Sequence, residues 1–162
     1  MIAWAEVGPI RLARRPTLVM TPRIRVLIAD DHPAMRMAIR ELLRADPDVE
    51  VVSEAVDAEA AVAECRRIKP EVVIMDLNMP GGGGLRAAKE IQASLPGTKI
   101  LVLTFQEDVH YVRQAQHAGA AGFVAKREIF EELKTAIHKV YQGKAHFPGK
   151  PMAGASAPAR LN

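Results

Sequence analysis

Between residues 24 and 141 the sequence alternates, five times over, a short β-rich apolar run with a segment of helical period. Ile24–Ala29, Val49–Ala55, Val72–Met75 and Ile100–Thr104 read as strands, with Gly122–Ala125 a weaker fifth. The third and fourth are almost continuously apolar, the mark of parallel strands covered on both faces. Between them, Met35, Ala38, Ile39, Leu42 and Leu43 fall at i, i+3, i+4, i+7 and i+8 of a helix over Ala34–Arg44. Leu133, Ala136, Ile137, Val140 and Tyr141 repeat that spacing within Ile129–Tyr141, so both helices are one-sided and must cover something. Asp57–Ile68, with Asp57 as N-cap, and Leu85–Leu95 are shorter helices. Asp108–His117 has the thinnest stripe, only Val109, Val112 and Ala115. The pattern predicts an α/β fold: a doubly wound, five-stranded parallel sheet with five helices and right-handed crossovers.

Composition agrees with one folded unit flanked by two tails. The 162 residues are 49% hydrophobic and 25% charged, enough apolar surface for a core without metal or disulfide support. Cys65 is the lone cysteine, which excludes a disulfide framework and a cysteine-based zinc site. No run approaches the roughly 18 apolar residues of a membrane span. Met1–Val19 is interrupted by Glu6, Gly8, Pro9, Arg11, Arg14 and Arg15 and lacks a signal peptide's apolar segment, so a cytoplasmic location is expected. Residues 1–23 and 144–162 each carry a net charge of +3, whereas 24–143 hold 15 basic against 18 acidic residues. A nucleic-acid-binding domain would concentrate positive charge on its folded face, and here that part is acidic. The expected division is an extension over 1–22 (with Met20 an alternative start), a folded domain over 23–143, and a flexible Gly/Pro/Ala/Ser-rich linker or tail over 144–162.

In such sheets the working crevice lies beyond the carboxyl ends of the strands. The first strand ends in Asp30-Asp31, the third in Asp76, the fourth in Thr104 and the fifth in Lys126. Three carboxylates, a hydroxyl and an ammonium would then share one edge. Carboxylates left together repel, and a hard cation relieves them; oxygen-only ligands suit Mg²⁺. Magnesium and Lys126 would neutralise phosphoryl oxygens, the Thr104 hydroxyl would bond another, and Asp76 would attack phosphorus to form an acyl phosphate.

The stretches VLIADDHPAMR (26–36), VVIMDLNMPG (72–81), ILVLT (100–104) and AGAAGFVAK (118–126) resemble the receiver domain of two-component response regulators, in particular the NarL/FixJ type. The resemblance spans about residues 24–143 and implies a CheY-like, flavodoxin-like (βα)5 fold. It implies Asp76 as phosphoacceptor; Asp30, Asp31, Asp76 and the Asn78 backbone carbonyl as Mg²⁺ ligands; and Thr104 and Lys126 as phosphoryl contacts. Phe123 matches the aromatic that moves inward as Thr104 is drawn to the phosphate. A sensor histidine kinase would be the phosphodonor, a downstream protein the partner, and a homodimer is open through either of two helix faces. The implied protein is a bacterial signalling switch, not an enzyme, with self-phosphorylation and self-dephosphorylation as its only chemistry. No contact with nucleic acid or membrane is expected of this chain itself.

Three departures stand out. The family loop Met-Pro-Gly-x-Asp-Gly is Met-Pro-Gly-Gly-Gly-Gly at 79–84, which predicts a looser loop beside the acids. Arg127, not proline, follows Lys126. NarL/FixJ-type proteins continue into a helix-turn-helix domain, whereas 19 residues without helical period follow Gly143, so no effector domain is expected here. The alternatives are the receiver part of a DNA-binding regulator, a degenerate receiver that signals without phosphate, and an aspartyl-nucleophile phosphatase resembling the haloacid-dehalogenase superfamily. That last needs a second Asp two residues after the nucleophile, and Asn78 cannot transfer protons. Gly81–Gly84 lacks the Gly-Lys-Ser/Thr ending of a P-loop. His32 reads as a helix-start residue rather than a metal ligand, since imidazole suits zinc or iron better than magnesium.

Overall fold

A computed structural model describes residues 22–80 and 83–149. Residues 1–21 of the expected extension, including Met20 and Trp4, residues 81 and 82, and residues 150–162 lie outside the described residues. Five strands, β1 (Ile24–Ala29), β2 (Val49–Ala55), β3 (Val72–Met75), β4 (Lys99–Thr104) and β5 (Gly122–Ala125), alternate with five helices. These are α1 (Pro33–Arg44), α2 (Ala58–Ile68), α3 (Gly83–Ser94), α4 (Val109–His117) and α5 (Ile129–Tyr141), the last entered through a 3₁₀ turn at Lys126–Glu128. All strand pairs are parallel, in the order β2-β1-β3-β4-β5. Among the described residues no helix is long and apolar enough to cross a membrane.

The apolar runs are buried on both faces because alternate side chains feed two cores. Leu27, Val73, Met75, Ile100, Val102 and Phe123 join the apolar faces of α2, α3 and α4. Val26, Ile28, Ile74, Leu101, Leu103 and Val124 meet Ile39 and Leu43 of α1 and Leu133, Ile137 and Val140 of α5. Each such fully buried aliphatic side chain contributes about 2 kcal/mol of transfer free energy. Helix ends follow from side-chain chemistry. Asp57 caps α2 by accepting the Ala60 N–H at 2.7 Å, and Asp108 caps α4 through the His110 N–H at 2.7 Å. The thin stripe of α4 has its counterpart in the structure, where Ala115 alone is fully buried. Cys65 is buried in α2, and burial, aided by the neighbouring Glu64 charge, pushes its thiol up to about 12, an inert core residue.

Two expectations are corrected. Helix α3 begins at Gly83, not Leu85, and its two leading glycines are packed rather than loose. A Cβ on Gly84 would fall on the Asp76 carbonyl oxygen, and Gly83 has φ +74 with room for no side chain beside the Leu77 carbonyl. The stretch expected as a free linker is docked over its first residues: His146 bridges to Gly122, and Phe147 packs on the α2–α4 core.

At the opposite end of the sheet from the acidic edge, His138 Nε2 of α5 lies 2.9 Å from Asp46 Oδ2 after α1. Burial alone would raise the Asp46 carboxyl. The His138 hydrogen bond, the Asp48 N–H and the charges of His138 and Lys134 outweigh it and hold the group below its ordinary value. A carboxyl depressed on folding stabilises the fold above its unfolded value and loses that contribution as pH falls through the folded one. Asp46→Asn is therefore expected to lower Tm at neutral pH, with the gap to the wild type closing under acid. A gap independent of pH, followed by thermal melts, would assign the loss to packing instead.

Candidate functional site

The parallel register brings the acids together. Ala29 pairs with Met75, and the Asp76 N–H donates to the Ala29 carbonyl at 2.9 Å, so Asp30 and Asp76 leave adjacent strands side by side. Both are buried, at 1% and 3% exposure. Lys126, following β5, crosses the end of β4 on its four-carbon stem. Its Nζ lies 2.6 Å from Asp30 Oδ2 and 2.9 Å from Asp76 Oδ2. A buried ammonium bridging two buried carboxylates offsets much of their repulsion and desolvation.

Local hydrogen bonds fix each acid. Asp76 Oδ1 accepts the Asn78 N–H at 3.1 Å, which shapes the turn after β3 and leaves the Asn78 side chain exposed. Asp30 Oδ1 accepts the His32 N–H at 2.8 Å. Among the described residues Asp31 Oδ1 is buried without a hydrogen-bond partner; His32 Nδ1 lies 3.0 Å away, but not in donor geometry. Oxygens of Asp30, Asp31 and Asp76, with a His32 nitrogen, all lie within 4.8 Å of one another. An orphaned carboxylate oxygen in a group of three acids with one ammonium fits a hard divalent cation, which wants oxygen ligands and supplies the missing positive charge.

Thr104 ends β4 fully buried, its Oγ1 accepting the Gln106 N–H at 3.2 Å. Among the described residues its hydroxyl makes no hydrogen bond to the acids. Phe123 is 2% exposed on the face covered by α2, α3 and α4. The structure thus gathers Asp30, Asp76 and Lys126 by hydrogen bonds and Asp31 by proximity, and leaves Thr104 and Phe123 outside that cluster.

Four neighbours went unnoticed in the sequence. The Arg36 guanidinium donates to the Asp30 carbonyl at 2.8 Å and to Glu54 at 3.1 Å, while Arg40 holds the other Glu54 oxygen at 2.6 Å. Arg36 and Arg40 lie four apart on one helix face, the available local signal, but their partner stands on β2. Lys126 Nζ also sits 5.3 Å from the centre of the Phe105 ring, 66% exposed at the mouth of the site. His32 does start α1, its carbonyl accepting the Met35 and Arg36 N–H groups, but its ring also faces the acids.

Comparison with known proteins follows the same lines. The family model for the response regulator receiver domain matches residues 26–138. The uncharacterized transcriptional regulatory protein YxjL of Bacillus subtilis is 40% identical over 125 residues, 77% of this chain and 57% of that protein. The oxygen regulatory protein NreC of Staphylococcus haemolyticus is 39% identical over 124 residues, again 57% of its length. The chain therefore spans somewhat over half the length of these curated relatives. A LuxR-family two-component response regulator from Aurantimonas superposes with TM-score 0.74 at 35% identity, covering 76% of this chain and 89% of that one. The receiver domain of the putative response regulator NarL from Mycobacterium tuberculosis gives 0.73 at 31% identity, covering 76% and 100%. The acidic edge, the (βα)5 topology and these matches place the chain in the response-regulator receiver family, of the NarL/LuxR type, whose members are signalling proteins rather than conventional enzymes.

Proposed function

We propose that the chain is a phosphorylation-activated receiver: with Mg²⁺ it accepts a phosphoryl group on Asp76 and changes conformation to control a protein partner. One observation carries this reading: Asp30 and Asp76 bridged by Lys126 Nζ beside the unpartnered oxygen of Asp31. Asp30, Asp31, Asp76 and the Asn78 backbone carbonyl would hold the cation. When bound, magnesium neutralises the carboxylates and draws charge from phosphoryl oxygens.

Asp76 is held by the Asn78 N–H on one oxygen and by Lys126 on the other, so the carboxylate is oriented before a donor arrives. A carboxylate oxygen forms the O–P bond. The P–N bond of a histidine kinase's phosphohistidine breaks with its electron pair staying on the imidazole. The product is an acyl phosphate on Asp76, and hydrolysis of that bond resets the protein. Lys126 passes from the carboxylate to a phosphoryl oxygen, and the Thr104 hydroxyl turns from Gln106 to another. A buried Thr104 that turns leaves room to be filled, and Phe123, the matching aromatic on β5, is the side chain that answers it. The output is then a shift between two preformed conformations.

A second reading concerns the longer context. One relative is named a transcriptional regulatory protein and is only 57% covered, which supports a receiver acting within a DNA-binding regulator. The receiver chemistry is common to both readings.

Beryllofluoride, a phosphoryl mimic, tests the proposal with Mg²⁺ on the full chain. Backbone amide resonances of Asp76, Thr104 and Phe123 are expected to shift together. A spectrum unchanged at all three positions would overturn the phosphoryl reading and favour a receiver that signals without phosphate.

A further inference from the structure

At the end of the sheet, β5 leaves one edge unpaired by other strands among the described residues, and its own chain covers part of it. Gly143, at φ +79, turns the backbone out of α5, with the Lys144 N–H closing on the Lys139 carbonyl at 2.9 Å. The chain then runs parallel to β5. The Phe123 N–H donates to the His146 carbonyl at 2.7 Å, and the His146 N–H donates to the Ala121 carbonyl at 3.1 Å. Gly122 permits this approach, since a Cβ there would stand 3.0 Å from the His146 oxygen and 2.8 Å from Leu101. Two side chains anchor the segment: His146 Nε2 lies 2.9 Å from Glu132 Oε2 of α5, and half-buried Phe147 packs against the core cluster that includes Phe123. A cavity of about 260 Å³ lies between this segment, β5 and the start of α5.

We propose that residues 145–147 form a strap that clamps Phe123 in its buried position, so that strap docking and the Thr104–Phe123 switch are one coupled equilibrium. The coupling to phosphate rests on the function proposed above; the clamp itself does not. The physical link is short. Phe123 donates its own N–H to the strap, and Phe147 packs on the cluster its ring belongs to. Buried Phe123 and docked strap therefore occur together, and linkage makes the effect reciprocal: a ligand that favours the buried ring tightens the strap, and loss of the strap weakens that ligand. The strap would carry the state of the acidic site to the residues that follow it.

Amide hydrogen exchange on the full chain, read residue by residue, tests this. In the wild type the Phe123 and His146 amides are expected to be protected. Phe147→Ser should speed both by about tenfold or more while leaving the β1 amides unchanged. Beryllofluoride with Mg²⁺ should slow both in the wild type, and Phe147→Ser should weaken its binding about fivefold. A His146 amide that exchanges freely, or a Phe123 amide indifferent to Phe147→Ser, would overturn the clamp. If Phe147→Ser loosens the whole sheet, His146→Pro, which removes both the N–H bonded to Ala121 and the side chain paired with Glu132, decides the same question at the Phe123 amide. Beryllofluoride that shifts Asp76 but leaves the strap amides unchanged would sink the coupling. If it shifts nothing at Asp76, the phosphoryl reading fails, and the exchange rates in Phe147→Ser still settle the clamp.

Discussion

Asp76→Asn is expected to abolish covalent labelling by acetyl phosphate. With Mg²⁺, the wild type should gain an acid-stable, hydroxylamine-labile group, the signature of an acyl phosphate, and the variant should lose it by more than about 10³-fold. The substitution isolates nucleophilicity. The amide keeps the shape of the carboxylate, and its oxygen can still accept the Asn78 N–H that orients Asp76. It removes one negative charge from a buried group of three acids, which relieves repulsion, but it also turns an amide NH2 toward the Lys126 ammonium, so the fold of the variant is followed beside its labelling. Melting the variant beside the wild type checks that point. Equal labelling of both proteins would move the reacting carboxylate away from β3 and overturn the assignment.

The sheet was legible in the sequence because burial on both faces leaves an unbroken apolar run, as in Val72–Met75, that needs no long-range knowledge to read. The one-sided helices α1 and α5 were legible for the same local reason. What the sequence could not supply was anything set by a partner distant in the chain. The docking of His146 on β5 is one such case: Gly, Pro and Ala around it signal a linker, and only the open edge beside Phe123 gives the backbone somewhere to bond. Gly83 and Gly84 are another. Their composition suggests freedom, whereas the closeness of the Asp76 and Leu77 carbonyls makes glycine the only residue type that fits without movement.

The site was legible to the extent that parallel strands deliver their carboxyl ends to one edge. Asp30, Asp76 and Lys126 needed only that rule, and strand order then supplied adjacency. Because β1 neighbours β3, the two acids stand side by side, 46 residues apart in sequence but one strand apart in space. The support of that edge was not legible. Arg36 tying the Asp30 carbonyl to Glu54 depends on β2 lying beside β1, and Phe105 under the Lys126 ammonium depends on the path of the loop after β4.

Lys126→Met is expected to destabilise the fold without divalent cation and to be rescued by it. Removing one partner from a buried ionic group leaves the others uncompensated, at a cost of about 3 kcal/mol. Here Asp30 Oδ2 and Asp76 Oδ2 would both lose their cation at 2–3% side-chain exposure, where water cannot replace it. For a domain of this size that corresponds to a Tm lower by roughly 6–12 °C in chelator. Magnesium at about a hundredfold excess over its Kd returns about 2.7 kcal/mol by mass action, close to the loss. Its effect should exceed that on the wild type, where the ammonium repels an entering cation. Arg127→Met is the control. Its neighbouring guanidinium is 58% exposed and pairs with Glu107 at the surface, so Tm should move little. Thermal melts of the three proteins, each with chelator and with Mg²⁺, read the result. A Lys126→Met protein as stable as the wild type in chelator, or a magnesium shift no larger than the wild type's, would mean that the acids are not held together by this ammonium and that the proposed cation does not take over its charge.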